Sequence, residues 1–117
     1  MTNRNTFPLH DLIAYRVARE LLVAVQAARI SNAGLRDQAL RAASAVGLNI
    51  AEAVGKASRA DQRRVYGIAR GEASETLAAL DLAEAAGFCT AANARDGKYL
   101  AERAYALLSG LIRVTGR

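Results

Sequence analysis

The stretch between residues 38 and 71 limits most strongly what this chain can fold into. An alanine-rich helical run ends near Gly55, a short turn follows, and a second helical run begins after Ser58. Gly55 is the residue type that closes a helix in the left-handed conformation. Ser58 followed by Asp61 is a weaker form of the N-terminal capping box. The pattern predicts two antiparallel helices joined by a tight turn about residue 57.

Glycines lie at matching levels of this predicted hairpin. Folding about residue 57 places Gly47 level with Gly67, and Ala43 level with Gly71. Small residues at i and i+4 share one helix face, and a glycine inside a helix costs about 1 kcal/mol relative to alanine. The arrangement favours a close crossing of the two backbones. The alternative is that one or both of the glycines on the second helix face solvent.

The same register brings polar side chains of the two helices to one level. Arg41 comes within reach of Glu72 and Glu75. Because a buried polar group must be paired to be tolerated, we expect an inter-helix network that fixes the register; a catalytic carboxylate is the alternative. The predicted members of this network are Arg41, Asn49, Glu52, Arg70, Glu72 and Glu75.

The rest of the chain has the same helical character. Its 117 residues include one proline and no tryptophan, and alanine, leucine and arginine are good helix formers. Apolar residues recur at a spacing of three to four and predict helices at about 8–30, 35–54, 59–86 and 91–114 in one domain. Ile13 and Ile68 belong to the predicted buried rows. Short connections favour an all-α fold, an antiparallel up-down-up-down four-helix bundle.

Residues on which enzymes depend are scarce in this sequence. His10 is its only histidine and Cys89 its only cysteine, which disfavours a histidine-containing triad and excludes the paired Glu-x-x-His motifs of di-iron bundles. The phosphate-binding Gly-x-x-x-x-Gly-Lys-Ser/Thr loop is missing. A lone cysteine fits a reducing compartment, and we expect neither a leader nor a membrane-spanning run. We expect a cytoplasmic, non-enzymatic protein without a metal or cofactor.

Positive charge gathers at one end of the expected bundle. The net charge of +5 permits an acidic partner such as nucleic acid. Contact with a phosphate backbone needs little more than clustered cations, and Tyr66 is placed to add a stacking surface. The alternative is a solvated face with ion pairs to Asp61 and Glu52. The candidate nucleic-acid-binding residues are Lys56, Arg59, Arg63, Arg64, Arg113 and Arg117.

Three segments carry a resemblance to a known family. They are residues 38–52, which end in Asn-Ile-Ala-Glu, then Gly-Lys-x-Ser at 55–58, and Ile-Ala-Arg-Gly at 68–71 followed by Glu75. Leu12-x-x-Tyr15-x-x-Ala18 and the leucine-rich end also fit, so the likeness covers most of the chain. In these segments the sequence resembles the four-helix-bundle proteins encoded in intervening sequences of bacterial 23S rRNA genes, also called S23 ribosomal proteins.

The resemblance implies an up-down bundle that assembles as a homopentameric ring, has no known enzymatic activity and binds RNA or DNA. A structurally similar group serves as the basic accessory subunit of retroelement reverse transcriptases. The alternative function is therefore a structural adaptor that docks such a protein partner and has no nucleic-acid role of its own. The sequence departs from the family pattern at Ala39, Ala42, Ala53 and Glu72. Ala42 stands where the family pattern has arginine, and Glu72 adds a negative charge. Both departures lower the positive charge of the face between helices 2 and 3.

Overall fold

The computed structural model describes residues 12–117, and these form four α-helices. The helices are α1 (Ile13–Ala27), α2 (Ala33–Val54), α3 (Arg59–Ala85) and α4 (Ala91–Thr115). Each packs against the helix that follows it in the sequence, and α4 packs against α1. No strand occurs within the described range, and no helix in it is long and apolar enough to cross a membrane. The predicted all-α, antiparallel up-down-up-down bundle is confirmed.

The first helix differs most from its predicted bounds, whereas the other three begin and end within two residues of theirs. The predicted start of α1 at residue 8 lies outside the described residues. The helix ends at Ala27 and not near Ile30, because Arg29 adopts a φ of 54°, a left-handed conformation that does not continue a helix. Beyond it, the backbone N–H of Ser31 donates to the carbonyl of Phe88 at 2.8 Å. That bond joins the α1–α2 turn to the α3–α4 turn.

Side-chain caps define the starts of the three later helices. Asn32, Ser58 and Thr90 each accept a hydrogen bond from the backbone N–H three residues on, at 2.9, 3.1 and 3.0 Å. The predicted cap at Ser58 is therefore confirmed. The left-handed conformation predicted at Gly55 is wrong, because this residue is right-handed with a φ of −80°. Gly87, with a φ of +79°, is the glycine that needs its freedom, at the end of α3.

The core contains one large aliphatic side chain from each helix, surrounded by alanines and valines. Leu21, Ile50, Leu80 and Leu108 are fully buried. The buried hydroxyl of Thr76 donates to the carbonyl of residue 72 in its own helix at 2.8 Å, so it brings no unpaired polar atom into the core. Small core side chains allow the helices to pack closely, and the described part of the chain is only 19 Å across its thinnest direction.

Two isoleucines expected in the core lie on the surface. Ile13 is 52% exposed and Ile68 is 45% exposed. Val65 and Ala69, four residues apart on α3, are fully buried and already occupy the face toward the neighbouring helices. Ile68 lies beside that row and points outward. The rows of residues predicted to be buried are therefore wider than the helix faces that are actually buried.

A close approach of two helices occurs between α3 and α4 and not, as predicted, between α2 and α3. A Cβ added at Gly67 or Gly71 would meet nothing within 4 Å, and one at Gly47 would face α1 and not α3. The predicted close crossing of α2 and α3 at these glycines is therefore wrong. A Cβ at the buried Gly97 would lie 2.8 Å from Cδ1 of Leu80, so the tight contact joins α3 to α4.

Candidate nucleic-acid interface

One end of the bundle collects cationic residues from three parts of the sequence. They come from the α2–α3 loop, from the first two turns of α3 and from the end of α4. Because α3 begins beside the place where α4 ends, the antiparallel topology brings them together. We call this set the basic pole, and its members are Lys56, Arg59, Arg63, Arg64, Arg113 and Arg117.

Two arginines of the basic pole are bonded to the end of α4. Nη2 of Arg59 donates to the carbonyl of Val114 at 2.7 Å, and Nη1 of Arg63 donates to the carbonyl of Thr115 at 3.3 Å. The carbonyls of a last helical turn lack partners within their helix, and positive charge at this end complements the helix dipole. These two guanidinium groups therefore hold the end of α4 against the start of α3.

The other cations of the basic pole are less engaged. Nε of Arg64 lies 3.6 Å from a carboxylate oxygen of Asp61, and both side chains are more than half exposed, so the pair stabilises little. Within residues 12–117, Lys56, Arg113 and Arg117 form no side-chain hydrogen bond or ion pair. Most of the positive charge of the basic pole is therefore not neutralised by residues 12–117.

The aromatic residue predicted beside these cations is buried, and a different tyrosine is exposed farther along α4. Tyr66 is only 5% exposed, and burial raises the pKa of its hydroxyl, so the predicted stacking surface there is wrong. Tyr105 on α4 is the exposed aromatic nearest in the sequence to the α4 part of the pole, and the guanidinium carbon of Arg70 lies 5.3 Å from its ring centroid. The sequence signal for Tyr105 is that it does not belong to the predicted buried row of α4.

The predicted register of α2 and α3 is correct. Nη1 of Arg41 donates to Oε2 of Glu72 at 3.2 Å, and Nη2 of the same arginine bonds to Glu75. Nε2 of Gln38 donates to the same carboxylate of Glu75 at 2.8 Å. These are the contacts expected for a hairpin that folds about residue 57.

The other predicted network residues lie elsewhere. The side-chain amide of Asn49 donates to a carbonyl four residues back in its own helix at 2.8 Å. Glu52 is exposed and forms no hydrogen bond or ion pair within the described range, because Arg63 is bonded to α4 instead. Nη1 of Arg70 donates to Oγ of Ser109 at 3.2 Å. Arg70 therefore links α3 to α4 and takes no part in the α2–α3 contacts.

The remaining polar groups offer little chemistry. Burial and the carboxylate of Glu84 raise the pKa of the Cys89 thiol, against a smaller lowering by Lys98, which makes the thiol a poor nucleophile. Nζ of Lys98 lies 2.9 Å from Asp81 and 2.7 Å from Glu84, and these hydrogen bonds raise the pKa of Lys98. In the part of the chain that the structure describes, no group of three histidine, cysteine or acidic side chains is placed to hold a metal ion.

Fold and surface together define a small antiparallel helical bundle with a basic pole. The family model described as 23S rRNA-intervening sequence protein matches residues 10–110, and the chain belongs to this family. It is similar to a crystal structure of a protein of unknown function of the S23 ribosomal protein family from Bacteroides thetaiotaomicron. The TM-score is 0.77 at 26% sequence identity, over 85% of this chain and 97% of that one. No curated protein matches the sequence. The family expected from the sequence is confirmed.

Proposed function

We propose that this protein is a non-enzymatic, nucleic-acid-binding protein whose basic pole contacts the phosphate backbone of RNA or DNA. The observation that carries the proposal is the convergence of six cations from three segments on one end of the bundle. Asp61 is the one carboxylate paired with any of them within residues 12–117. The family takes its description from intervening sequences of 23S rRNA, which makes RNA the first ligand to test.

The members of the basic pole contribute to phosphate binding in two different ways. Lys56, Arg113 and Arg117 carry charges that no described residue neutralises and supply the main phosphate contacts. Arg59 and Arg63 each use one donor on α4, and a guanidinium group has five. Their remaining donors are held in place before the ligand arrives, which lowers the entropic cost of binding. Such contacts fix position on a backbone but read no sequence.

We further propose that several copies assemble, as the pentamer implied by the family resemblance, so that several basic poles engage one strand. Exposed apolar side chains flank α1 on both sides and support this assembly. Val23 and Tyr99 are 65% and 62% exposed beside a groove of about 900 Å³ between α1 and α4, and Leu48 is 71% exposed beside one of about 360 Å³ between α1 and α2. Linked binding sites gain affinity without any new contact.

The same apolar surface supports a second candidate function. A structural adaptor would use the grooves around α1 to dock a protein partner such as a reverse transcriptase, and nucleic-acid contact would be incidental. The two functions differ in what the basic pole does, because an adaptor of this kind loses nothing when the charges of the pole are removed.

The deciding experiment measures RNA affinity across a salt series for the wild type and for a variant of the basic pole. Lys56→Gln, Arg113→Gln and Arg117→Gln are combined, because these side chains form no hydrogen bond or ion pair within residues 12–117. Each lost phosphate contact lowers the slope of log affinity against log salt by about 0.7 for a single strand. We therefore expect a slope shallower by about 2 and weaker binding at low salt.

A matched control removes the same number of charges away from the basic pole. Arg29→Gln, Arg95→Gln and Arg103→Gln change exposed residues in the α1–α2 turn and on α4 and should leave the salt slope within error of the wild type. Equal effects of the two triple variants would show that net charge alone governs binding. Wild-type protein that binds no RNA at low salt would overturn the proposed function and favour the adaptor.

A further inference from the structure

A shallow groove between α3 and α4 lies farther along these helices than the basic pole and differs from it in character. Its volume is about 430 Å³. Apolar side chains form its floor, a hydroxyl and a carboxylate stand at its rim, and a tyrosine ring forms part of its wall. The lining residues are Ala73, Ser74, Leu77, Ala101, Glu102 and Tyr105.

Tyr105 presents an ordered aromatic surface to this groove. Its side chain is 45% exposed, and the guanidinium carbon of Arg70 lies 5.3 Å from the ring centroid, within cation–π distance. Arg70 is in turn bonded to Ser109 at 3.2 Å. One side of the ring is therefore held by a fixed cation, and the exposed remainder is available to a planar ligand without a large loss of side-chain freedom.

The groove lies within reach of a strand bound at the basic pole. Tyr105 precedes Arg113 by eight residues of α4, which is about 12 Å along the helix axis. Ala73, the first α3 residue of the groove, follows Arg64 by nine residues, which is about 14 Å along the helix axis. At about 3.4 Å per nucleotide along one stacked strand, these distances correspond to three or four nucleotides.

The charges of the groove select which part of a nucleotide would enter it. The carboxylate of Glu102 at the rim repels a phosphate, whereas the apolar floor of Ala73 and Leu77 suits the flat face of a base. A carboxylate accepts hydrogen bonds from the exocyclic amino group of a base such as cytosine, and the hydroxyl of Ser74 can donate or accept. Arg70, the cation over the Tyr105 ring, is already bonded to Ser109, and the cations of the basic pole supply the phosphate contacts.

We propose that the α3–α4 groove binds one unpaired nucleobase, stacked on Tyr105, of a strand whose phosphates lie on the basic pole. The inference rests on the proposed function and adds to it that the ligand is single-stranded. A base within a duplex is stacked on its neighbours and cannot enter the groove. Every base has a π-face, so the site tolerates different sequences.

The test compares single-stranded RNA with a duplex of the same sequence, using wild-type protein and three variants of one position. Tyr105→Ala removes the ring, Tyr105→Leu keeps apolar bulk without a π-face, and Tyr105→Phe keeps the ring. Loss of base–aromatic stacking should weaken single-strand binding by about 5- to 150-fold in the first two variants. Tyr105→Phe should stay near the wild type, and duplex affinity should be unchanged in all three.

Two further measurements separate the possible outcomes. Thermal unfolding checks that each variant is folded, which we expect because Tyr105 is half exposed and alanine and leucine favour a helix. A wild-type protein that binds RNA while Tyr105→Ala binds single strands equally well would overturn the stacking site and leave the proposed function intact. Equal weakening for single strands and duplex would also overturn it. No binding by the wild type would overturn both proposals.

Discussion

At the scale of single residues, three helical glycines differ sharply in the space around them. Gly67 and Gly71 lie in the interior of α3, and a Cβ at either would meet no atom within 4 Å. Gly97 lies in α4, is buried, and would place a Cβ 2.8 Å from Leu80, itself fully buried. Gly67 and Gly71 therefore lower helix stability although no described contact requires a glycine there. Gly97, in contrast, allows α3 and α4 to cross closely.

Alanine substitutions should therefore have different effects at the two kinds of site. Gly67→Ala should raise the free energy of unfolding by about 0.5–1 kcal/mol, the helix-propensity gain without a steric cost. Gly97→Ala should lose this gain, because overpacking a buried site typically costs about 1–3 kcal/mol. Urea unfolding of both variants measures the difference. A Gly97→Ala protein as stable as Gly67→Ala would show that Leu80 moves aside freely.

Two residues of α3 show why the spacing of apolar residues does not predict every buried position. Spacing of three to four identified the buried Val65 and Ala69, but it could not decide on which side of that row the stripe ends. The spacing therefore predicts Ile68 inside and Tyr66 outside, whereas Ile68 is 45% exposed and Tyr66 is 5% exposed. A single helix pattern gives the direction of the buried face, whereas its width depends on how closely two neighbouring helices approach.

At the scale of helices, the turn between α2 and α3 was the most informative element. Its cap at Ser58 fixed the register, and from that register the contacts of Arg41 with Glu72 and Glu75 followed correctly. The pairing of α3 with α4 could not be predicted in the same detail. The sequence does not indicate that Gly97 of α4 packs against Leu80 of α3. The contacts of Arg59 and Arg63 with α4 also depend on that pairing.

The end of α4 should depend on Arg59 for its order. Arg59→Ala removes the 2.7 Å bond to the carbonyl of Val114 and should lower the free energy of unfolding by about 0.5–1 kcal/mol, because this guanidinium group is exposed. Amide hydrogen exchange should become faster in the last turn of α4, at residues 112–115. Both changes should be confined to this end of the bundle.

Arg64→Ala provides the matched control for the Arg59 variant. It removes the same charge from the same helix, but Arg64 pairs only with Asp61 among the described residues. Its free energy of unfolding should stay within about 0.5 kcal/mol of the wild type, and exchange in α4 should not change. Equal acceleration of exchange by both variants would show that charge, and not the hydrogen bond, orders the helix end.

At the scale of the whole molecule, the helical pattern and short turns were sufficient to predict the bundle, whereas the partners of its surface could not be read from them. Apolar residues such as Leu48 have the same spacing whether they face a neighbouring helix or a second chain. Leu48 proved to be 71% exposed, beside the groove between α1 and α2. The surface around α1 is the part of the molecule on which the proposed assembly depends.

Leu48→Glu should dissociate the proposed assembly without unfolding the subunit. The side chain is mostly exposed, and leucine and glutamate have similar helix propensities, so the isolated bundle should keep its stability within about 0.5 kcal/mol. Sedimentation velocity should show the mass of a single chain. Affinity for a long RNA should fall by about 10²- to 10⁴-fold as the linkage between basic poles is lost, whereas an oligonucleotide that spans one pole should bind almost as before.

Leu82→Glu separates a true interface from a general effect of charge. Leu82 is 58% exposed on α3, and the α3 contacts that define the bundle are with α2 and α4, not with α1. The substitution makes the same change of charge away from the surface around α1 and should leave the mass and the long-RNA affinity unchanged. A Leu48→Glu protein with the mass of the wild type would exclude this surface from the interface. A monomeric wild type would remove the avidity argument, and the basic pole would then have to bind nucleic acid through the contacts of one subunit alone.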